Sequence, residues 1–223
     1  MVARMPPAIT DIGSRVELVS LDPHFHDISI ALYEQRPPAT GYVIHSYSSY
    51  EGALERVEYA AEAMRILGGM ISTEGNPRGL RFACGSNHLL GSKRIFIEAV
   101  KILPRSPLEQ RPLAILDKKS GLTIAVASEG DGAYRVTANR GEDGGEETTD
   151  GGERRVAIAA GGLARLGQMT PLEGSANRVG FECGHSHDAL VGLLLTRAMN
   201  VRAVIRELEN AAARGVLAAP KGM

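Results

Sequence analysis

The sequence predicts an α+β protein built from two homologous halves, each a sheet with its helices on one face, packed together pseudo-symmetrically. Three observations predict it. The segment 56–102 aligns without a gap on the segment 155–201. Each segment contains a Cys-Gly-x-x-His element near its end. Short apolar runs and longer runs of helical periodicity follow one another in the same order in both halves, which indicates an internal duplication of a βββαβα unit.

The aligned positions share residue types that are rare or sterically special. A period of about 100 residues is far longer than that of solenoid repeats, so it indicates two half-domains rather than an array. The sequence predicts a first half over 1–108 and a second over 109–223, either as two domains or as one continuous domain. The identical pairs include Leu67 with Leu166, Gly68 with Gly167, Met70 with Met169, Glu74 with Glu173, Phe82 with Phe181, Cys84 with Cys183, Gly85 with Gly184 and His88 with His187.

In the first half, β-rich runs bounded by proline turns predict three strands. Ser48 with Glu51 fits a capping box, and apolar residues at helical spacing follow it until Gly68 and Gly69. A short strand then leads through Cys84 into a helix that ends before Pro104. The predicted ranges are 16–21, 28–33 and 42–47 for the strands, 48–67 for the helix, 80–83 for the last strand and 87–103 for the last helix.

The second half repeats this order, with strands at 113–116, 122–127 and 134–138, a helix at 153–166, a strand at 179–181 and a helix at 187–213. Apolar residues surround most of the closing helix, which predicts burial on several sides. Such a helix lies between two sheets, between the two halves or in a homodimer interface. The glycine-rich acidic segment 141–152 has no counterpart and holds no apolar residue, so it predicts a solvated loop.

Composition excludes several classes of protein. A net charge of −1 and the absence of a basic run argue against a nucleic-acid or anionic-membrane partner. The longest apolar run is too short to span a bilayer, and we expect a cytoplasmic protein, most simply a homo-oligomer. Only two cysteines are present, at matched positions, so thiol or metal chemistry is more plausible than a disulfide framework.

The matched junctions between strand and helix are the candidate functional sites. Thiolate and imidazole are good transition-metal ligands, so two Cys-Gly-x-x-His elements would sum to a Cys2His2 set for a divalent metal such as zinc. The pair His24 and His26 at the first hairpin turn adds two further candidate ligands. Donor atoms more than about 10 Å apart would exclude a shared metal, given the lengths of metal–ligand bonds. The candidate ligands are Cys84, His88, Cys183, His187, His24 and His26.

A second hypothesis makes Cys183 a nucleophile. A helix start and a histidine four positions on can stabilise a thiolate, and His185, His187 and Asp188 supply a base and a group to orient it. The same helix starts could instead bind an anion, or the Cys-Gly pairs could serve packing alone. Two functional classes follow: an enzyme acting on a small polar or anionic metabolite, with or without a metal, and a non-catalytic ligand-binding or oligomeric scaffold protein.

Overall fold

A computed structural model of the chain describes residues 15–21, 30–35, 40–46, 52–102, 109–118, 120–140 and 150–200. This part of the chain forms an α+β fold with two five-stranded antiparallel sheets and four helices. None of the helices in these ranges has the combination of length and apolarity that a membrane span requires.

The first sheet has the strand order β1-β2-β3-β5-β4. Its turn-flanked, β-branched runs pair as antiparallel neighbours, and α1 and α2 follow β3 and β5. The elements are β1 (Arg15–Leu21), β2 (Ile30–Gln35), β3 (Tyr42–Ser46), α1 (Ala53–Gly68), β4 (Ile71–Thr73), β5 (Asn76–Arg81) and α2 (Leu89–Ile102).

The second sheet has the order β6-β7-β8-β10-β9, which is the order of the first. Side chains of β7 alternate between buried and partly exposed over its first residues, as expected for a strand with one face on the core. The elements are β6 (Ala114–Asp117), β7 (Leu122–Gly130), β8 (Ala133–Arg140), α3 (Asp150–Gly167), β9 (Thr170–Pro171), β10 (Arg178–Gly180) and α4 (Asp188–Asn200).

The structure corrects the predicted elements in two places. Each half contains a further short strand, β4 or β9, so the observed order is βββαββα. The helix starts also differ, because α1 begins at Ala53 after Gly52, which has no side-chain capping bond, and α3 begins at Asp150, inside the predicted loop 141–152. The predicted capping box of Ser48 and Glu51, the loop residues 141–149 and the predicted helical continuation 201–213 lie outside the described residues.

Both halves contribute to one continuous hydrophobic cluster. The all-round burial predicted for the closing helix is confirmed over α4, where nine residues between Ala189 and Met199 are buried. This helix packs against α1, α2, α3 and β6. Contacts within one chain therefore account for its burial, and the homo-oligomer and the domain division at 108 stay predictions.

Candidate metal centre

The first Cys-Gly-x-x-His element is a turn that leads into α2. The amide of Gly85 donates to the carbonyl of Phe82 at 3.1 Å, which closes a tight turn containing Cys84. Gly85 has a φ of 77°, a left-handed conformation that glycine adopts without steric cost. The carbonyl of His88 accepts from the amide of Ser92 at 2.8 Å, so His88 is the residue from which the helix starts.

The second element folds in the same way. The amide of Gly184 donates to the carbonyl of Phe181 at 3.1 Å, and Gly184 has a φ of 69°. His187 precedes α4, and its carbonyl accepts from the amide of Val191 at 2.9 Å. Each element thus fixes a cysteine in a turn and a histidine at a helix start, so that both side chains have the same local geometry.

Four donor atoms from the two elements converge. Cys84 Sγ lies 3.3 Å from His88 Nε2, and Cys183 Sγ lies 3.3 Å from His187 Nε2. All four atoms lie within 4.8 Å of one another. In a tetrahedral zinc site, bonds of about 2.3 Å to sulfur and about 2.0 Å to nitrogen place neighbouring donor atoms about 3.3–3.8 Å apart. The four side chains therefore form a Cys2His2 cluster that could hold a metal ion such as zinc after small shifts.

Two buried phenylalanines hold the imidazole rings in place. Phe82 contacts His88 edge to face with ring centroids 4.8 Å apart, and Phe181 contacts His187 at 5.0 Å. Each phenylalanine also contacts the histidine of the other half, at 5.4 Å and 5.1 Å. The histidine rings themselves lie 4.4 Å apart. Such packing restricts ring rotation, which reduces the entropy that a metal would have to overcome.

Burial favours the uncharged forms of three of the cluster's side chains, His88, His187 and Cys183. Burial, with His88 and His185 nearby, lowers the pKa of His187 to about 4, and burial lowers the pKa of His88 as well. Burial also raises the pKa of the Cys183 thiol. Neutral imidazole is the form that coordinates metals, and a bound dication would offset the charge of two thiolates.

Tyr134 orients the second ligand element. Its buried hydroxyl accepts a hydrogen bond from the backbone amide of His187 and donates to Asp188 Oδ1 at 2.9 Å. Asp188 is the first residue of α4, where a carboxylate also interacts favourably with the helix dipole. Sequence reasoning missed Tyr134, because the only signal for it was a tyrosine in a predicted strand far from the Cys-Gly-x-x-His element.

An open cleft of about 400 Å³ lies beside the cluster. His185, whose Nδ1 lies 2.7 Å from the carbonyl oxygen of Cys183, is exposed at the cleft. The cleft takes its walls from both halves. Its lining residues are Gly68, Gly69, Ala83, Cys84, Gln110, His185, Ser186, His187, Asp188 and Ala189.

The structure brings most of the predicted site residues to one place. Cys84, His88, Cys183 and His187 form the cluster, while His185 and Asp188 line the neighbouring cleft. The two other candidate ligands, His24 and His26, lie outside the described residues.

Comparisons with protein-family models, with curated proteins and with solved structures find no match. The class of protein is therefore defined by fold and site alone. It is an α+β protein with a Cys2His2 cluster that could bind a metal.

Proposed function

We propose that this protein binds a zinc ion between its two halves, through Cys84 and His88 from one half and Cys183 and His187 from the other. One observation carries the proposal: four metal-ligand side chains from distant parts of the sequence place their donor atoms within 4.8 Å of one another. Uncompensated crowding of polar groups is costly, whereas a shared ion would use every donor.

The donor set favours zinc over the other common divalent metals. Sulfur and imidazole ligands suit zinc, while magnesium and calcium take oxygen ligands. Four protein ligands fill a tetrahedral coordination shell, as in zinc sites that stabilise a fold. A dication bound to two thiolates and two neutral imidazoles would carry no net charge, which suits a partly buried location.

We further propose that the halves arose by duplication and are related by a pseudo-twofold axis that passes through the metal centre. The equal strand orders of the two sheets support this, as do the two turns of the same geometry. A second matched contact joins each turn to the sheet. Asn87 Nδ2 donates to Glu34 Oε1 at 2.8 Å, and Ser186 Oγ lies 3.1 Å from Ser128 Oγ at the corresponding position.

Metal content tests the proposed zinc site. Tag-free protein purified without chelators should contain one zinc ion per chain, as measured by inductively coupled plasma mass spectrometry. The Cys84→Ser and His187→Ala variants should lose at least roughly tenfold in zinc affinity, as measured by competition with a chromogenic chelator. His185→Ala is the matched control, because His185 lies at the cleft but outside the cluster. Zinc retained equally by all four proteins would contradict the proposal.

A second candidate function is an enzyme for a small polar metabolite, in which Cys183, His185, His187 and Asp188 are catalytic. The contact of Cys183 with His187 and the cleft lined by His185 and Asp188 favour it. A coordinated thiolate is not a free nucleophile, so stoichiometric zinc would count against this candidate. The test measures release of nitrophenol from p-nitrophenyl acetate by metal-free protein. Activity that the Cys183→Ser variant loses and the Cys84→Ser variant keeps would support the enzyme candidate.

In the non-catalytic alternative, the Cys-Gly-x-x-His elements serve packing alone. This alternative predicts neither stoichiometric zinc nor ester cleavage that depends on Cys183. Metal-free wild-type protein would then unfold at the same temperature with and without added zinc. Both Cys84→Ser and Cys183→Ser would also behave alike in the ester assay.

A further inference from the structure

The cleft meets the metal centre from one side only. Of the four candidate ligands, Cys84 and His187 line it, whereas Cys183 and His88 do not. The two cysteines have similar local geometry, so the difference must come from what surrounds each turn.

The residue that follows the preceding helix differs between the two halves. Gln168 follows α3 with a φ of 54°, and its Oε1 accepts from the amide of Leu90, the second residue of α2, at 3.5 Å. The corresponding residue after α1 is Gly69, with a φ of 62°. A Cβ atom on Gly69 would lie 3.3 Å from the Cβ of Ala189, the second residue of α4. Gly69, which lines the cleft, therefore has no side chain to take, at the start of α4, the place that the side chain of Gln168 takes at the start of α2.

We infer that the cleft is a binding site for small polar molecules bearing a carbonyl or carboxylate oxygen, and that Cys84 is the thiol such molecules reach. This inference rests on the proposed metal centre, since it names the side from which that centre is approached. The oxygen of Gln168 at the start of α2 shows the position that a ligand oxygen would take at the start of α4. His185, Asp188 and Gln110 supply further polar groups, and about 400 Å³ accommodates a metabolite-sized ligand.

Alkylation by iodoacetamide, a small molecule with a carbonyl oxygen, tests the inference on metal-free protein. The thiolate sulfur forms a bond to the methylene carbon while the carbon–iodine bond breaks and iodide leaves. Peptide mass spectrometry should show Cys84 modified roughly tenfold faster than Cys183, because access limits thiol reactivity. Equal rates, or a faster reaction at Cys183, would overturn the inference.

Two reciprocal variants connect the result to the cleft. Gly69→Gln gives position 69 the side chain that stands at the matched position 168. It should slow the modification of Cys84 to about the rate of Cys183 in wild-type protein. Gln168→Gly gives position 168 the glycine that stands at the matched position 69. It should accelerate the modification of Cys183 without changing the rate of modification of Cys84. Gln168→Gly also relieves a left-handed backbone, so it should fold even if Gly69→Gln does not. Unchanged rates in Gln168→Gly would refute the proposed role of Gln168.

The alkylation test and the test of zinc content can fail independently of each other. If the chain binds no zinc, the ratio of the two alkylation rates in metal-free protein still tests the cleft. If the chain binds zinc but both thiols react at the same rate once the metal is removed, the metal centre stands and the inference about the cleft fails.

Discussion

The hydroxyl of Tyr134 stabilises the second ligand element from two sides, through the amide of His187 and the carboxylate of Asp188. Tyr42, at the corresponding position of the first sheet, is equally buried, but its hydroxyl forms no hydrogen bond of good geometry with any of the described residues. The hydroxyl of Ser92 interacts with it, and within the same part of the chain this buried hydroxyl has no well-formed bond either. Burial raises the pKa of both tyrosines, that of Tyr42 to about 12, so both hydroxyls are protonated at neutral pH.

Tyr134→Phe should therefore destabilise the protein by about 0.5–1.5 kcal/mol, because it removes the hydrogen bonds to a partly buried amide and to a carboxylate. Urea denaturation measures this change, and zinc affinity should also fall because the backbone at His187 is less well fixed. Tyr42→Phe is the matched control. Its cost should be well below that of Tyr134→Phe, because it removes a hydroxyl without a good hydrogen bond. Equal losses in the two variants would show that the bonds of Tyr134 contribute nothing specific.

The four residues of the cluster were predictable as candidate ligands because the two Cys-Gly-x-x-His elements stand at matched positions of the aligned segments. Their convergence could not be derived in the same way, since the distance between Cys84 and Cys183 depends on how the two halves pack. Gln168 illustrates the limit further. Its sequence neighbours predict only a helix end, and its contact with Leu90 depends on the placement of α3 against α2.

At the scale of elements, Glu129 at the end of β7 joins two neighbouring strands. Its carboxylate accepts from Arg135 of β8 at 2.6 Å and from Arg178 of β10 at 2.7 Å. The two arginines face each other across the strand pair, so like charges would repel without the carboxylate. Hydrogen bonds from Arg178 and Arg135 lower the pKa of Glu129 below its ordinary value of 4.5.

Because the pKa of Glu129 is lower in the folded chain than in the unfolded chain, its ionised carboxylate stabilises the fold at pH values above the unfolded-state pKa of 4.5. This stabilisation is lost as the pH falls through the pKa of Glu129 in the folded state. Glu129→Gln should therefore be less stable than wild type at neutral pH, and the two should converge in acid below the folded pKa. Urea denaturation as a function of pH measures this. Glu173→Gln, a change at an exposed loop glutamate, should follow the wild-type profile throughout. A difference that persists undiminished in acid would exclude the charge of Glu129 as its cause.

The second element-scale prediction concerns Gly192 in α4. A Cβ atom there would lie 2.2 Å from the carbonyl oxygen of Arg111, a backbone atom that cannot easily move. Gly192→Ala should destabilise the protein by about 1–3 kcal/mol through overpacking. Gly151→Ala, at the second residue of α3, meets none of the described atoms within 4 Å and should instead stabilise by up to about 0.5 kcal/mol through helix propensity. Thermal denaturation of the pair tests the close approach, and destabilisation by both variants would contradict it.

The elements missed by sequence reasoning were those too short to show a period. Both residues of β9, one of them Pro171, are exposed, and β4 has three residues of which two are exposed. Neither has an alternation of buried and exposed side chains, so only the pairing with β5 or β10 identifies them as strands. The longer strands and helices were predictable because their apolar residues recur at the period of the element.

For the whole molecule, the shared hydrophobic cluster connects the two halves, and the proposed metal centre would connect them by a different means. The hydrophobic cluster depends on apolar burial that is fixed by sequence, whereas the proposed centre would depend on zinc in solution. Sequence could predict that each half has an apolar face. It could not predict that helices of both halves meet in one core, because surface complementarity is not encoded in any local pattern.

Zinc should therefore stabilise the folded chain as a ligand that binds the native but not the unfolded state. At free zinc about 100-fold above its dissociation constant, the gain is about 2.7 kcal/mol. For a chain of this size, that gain raises the midpoint of thermal unfolding by roughly 5–10 °C. Differential scanning calorimetry with zinc and with excess dipicolinate measures the difference. Cys84→Ser should unfold at nearly the same temperature in both conditions, because the ion then loses one of its four ligands. A zinc-dependent rise of equal size in Cys84→Ser would place the stabilising ion elsewhere on the molecule.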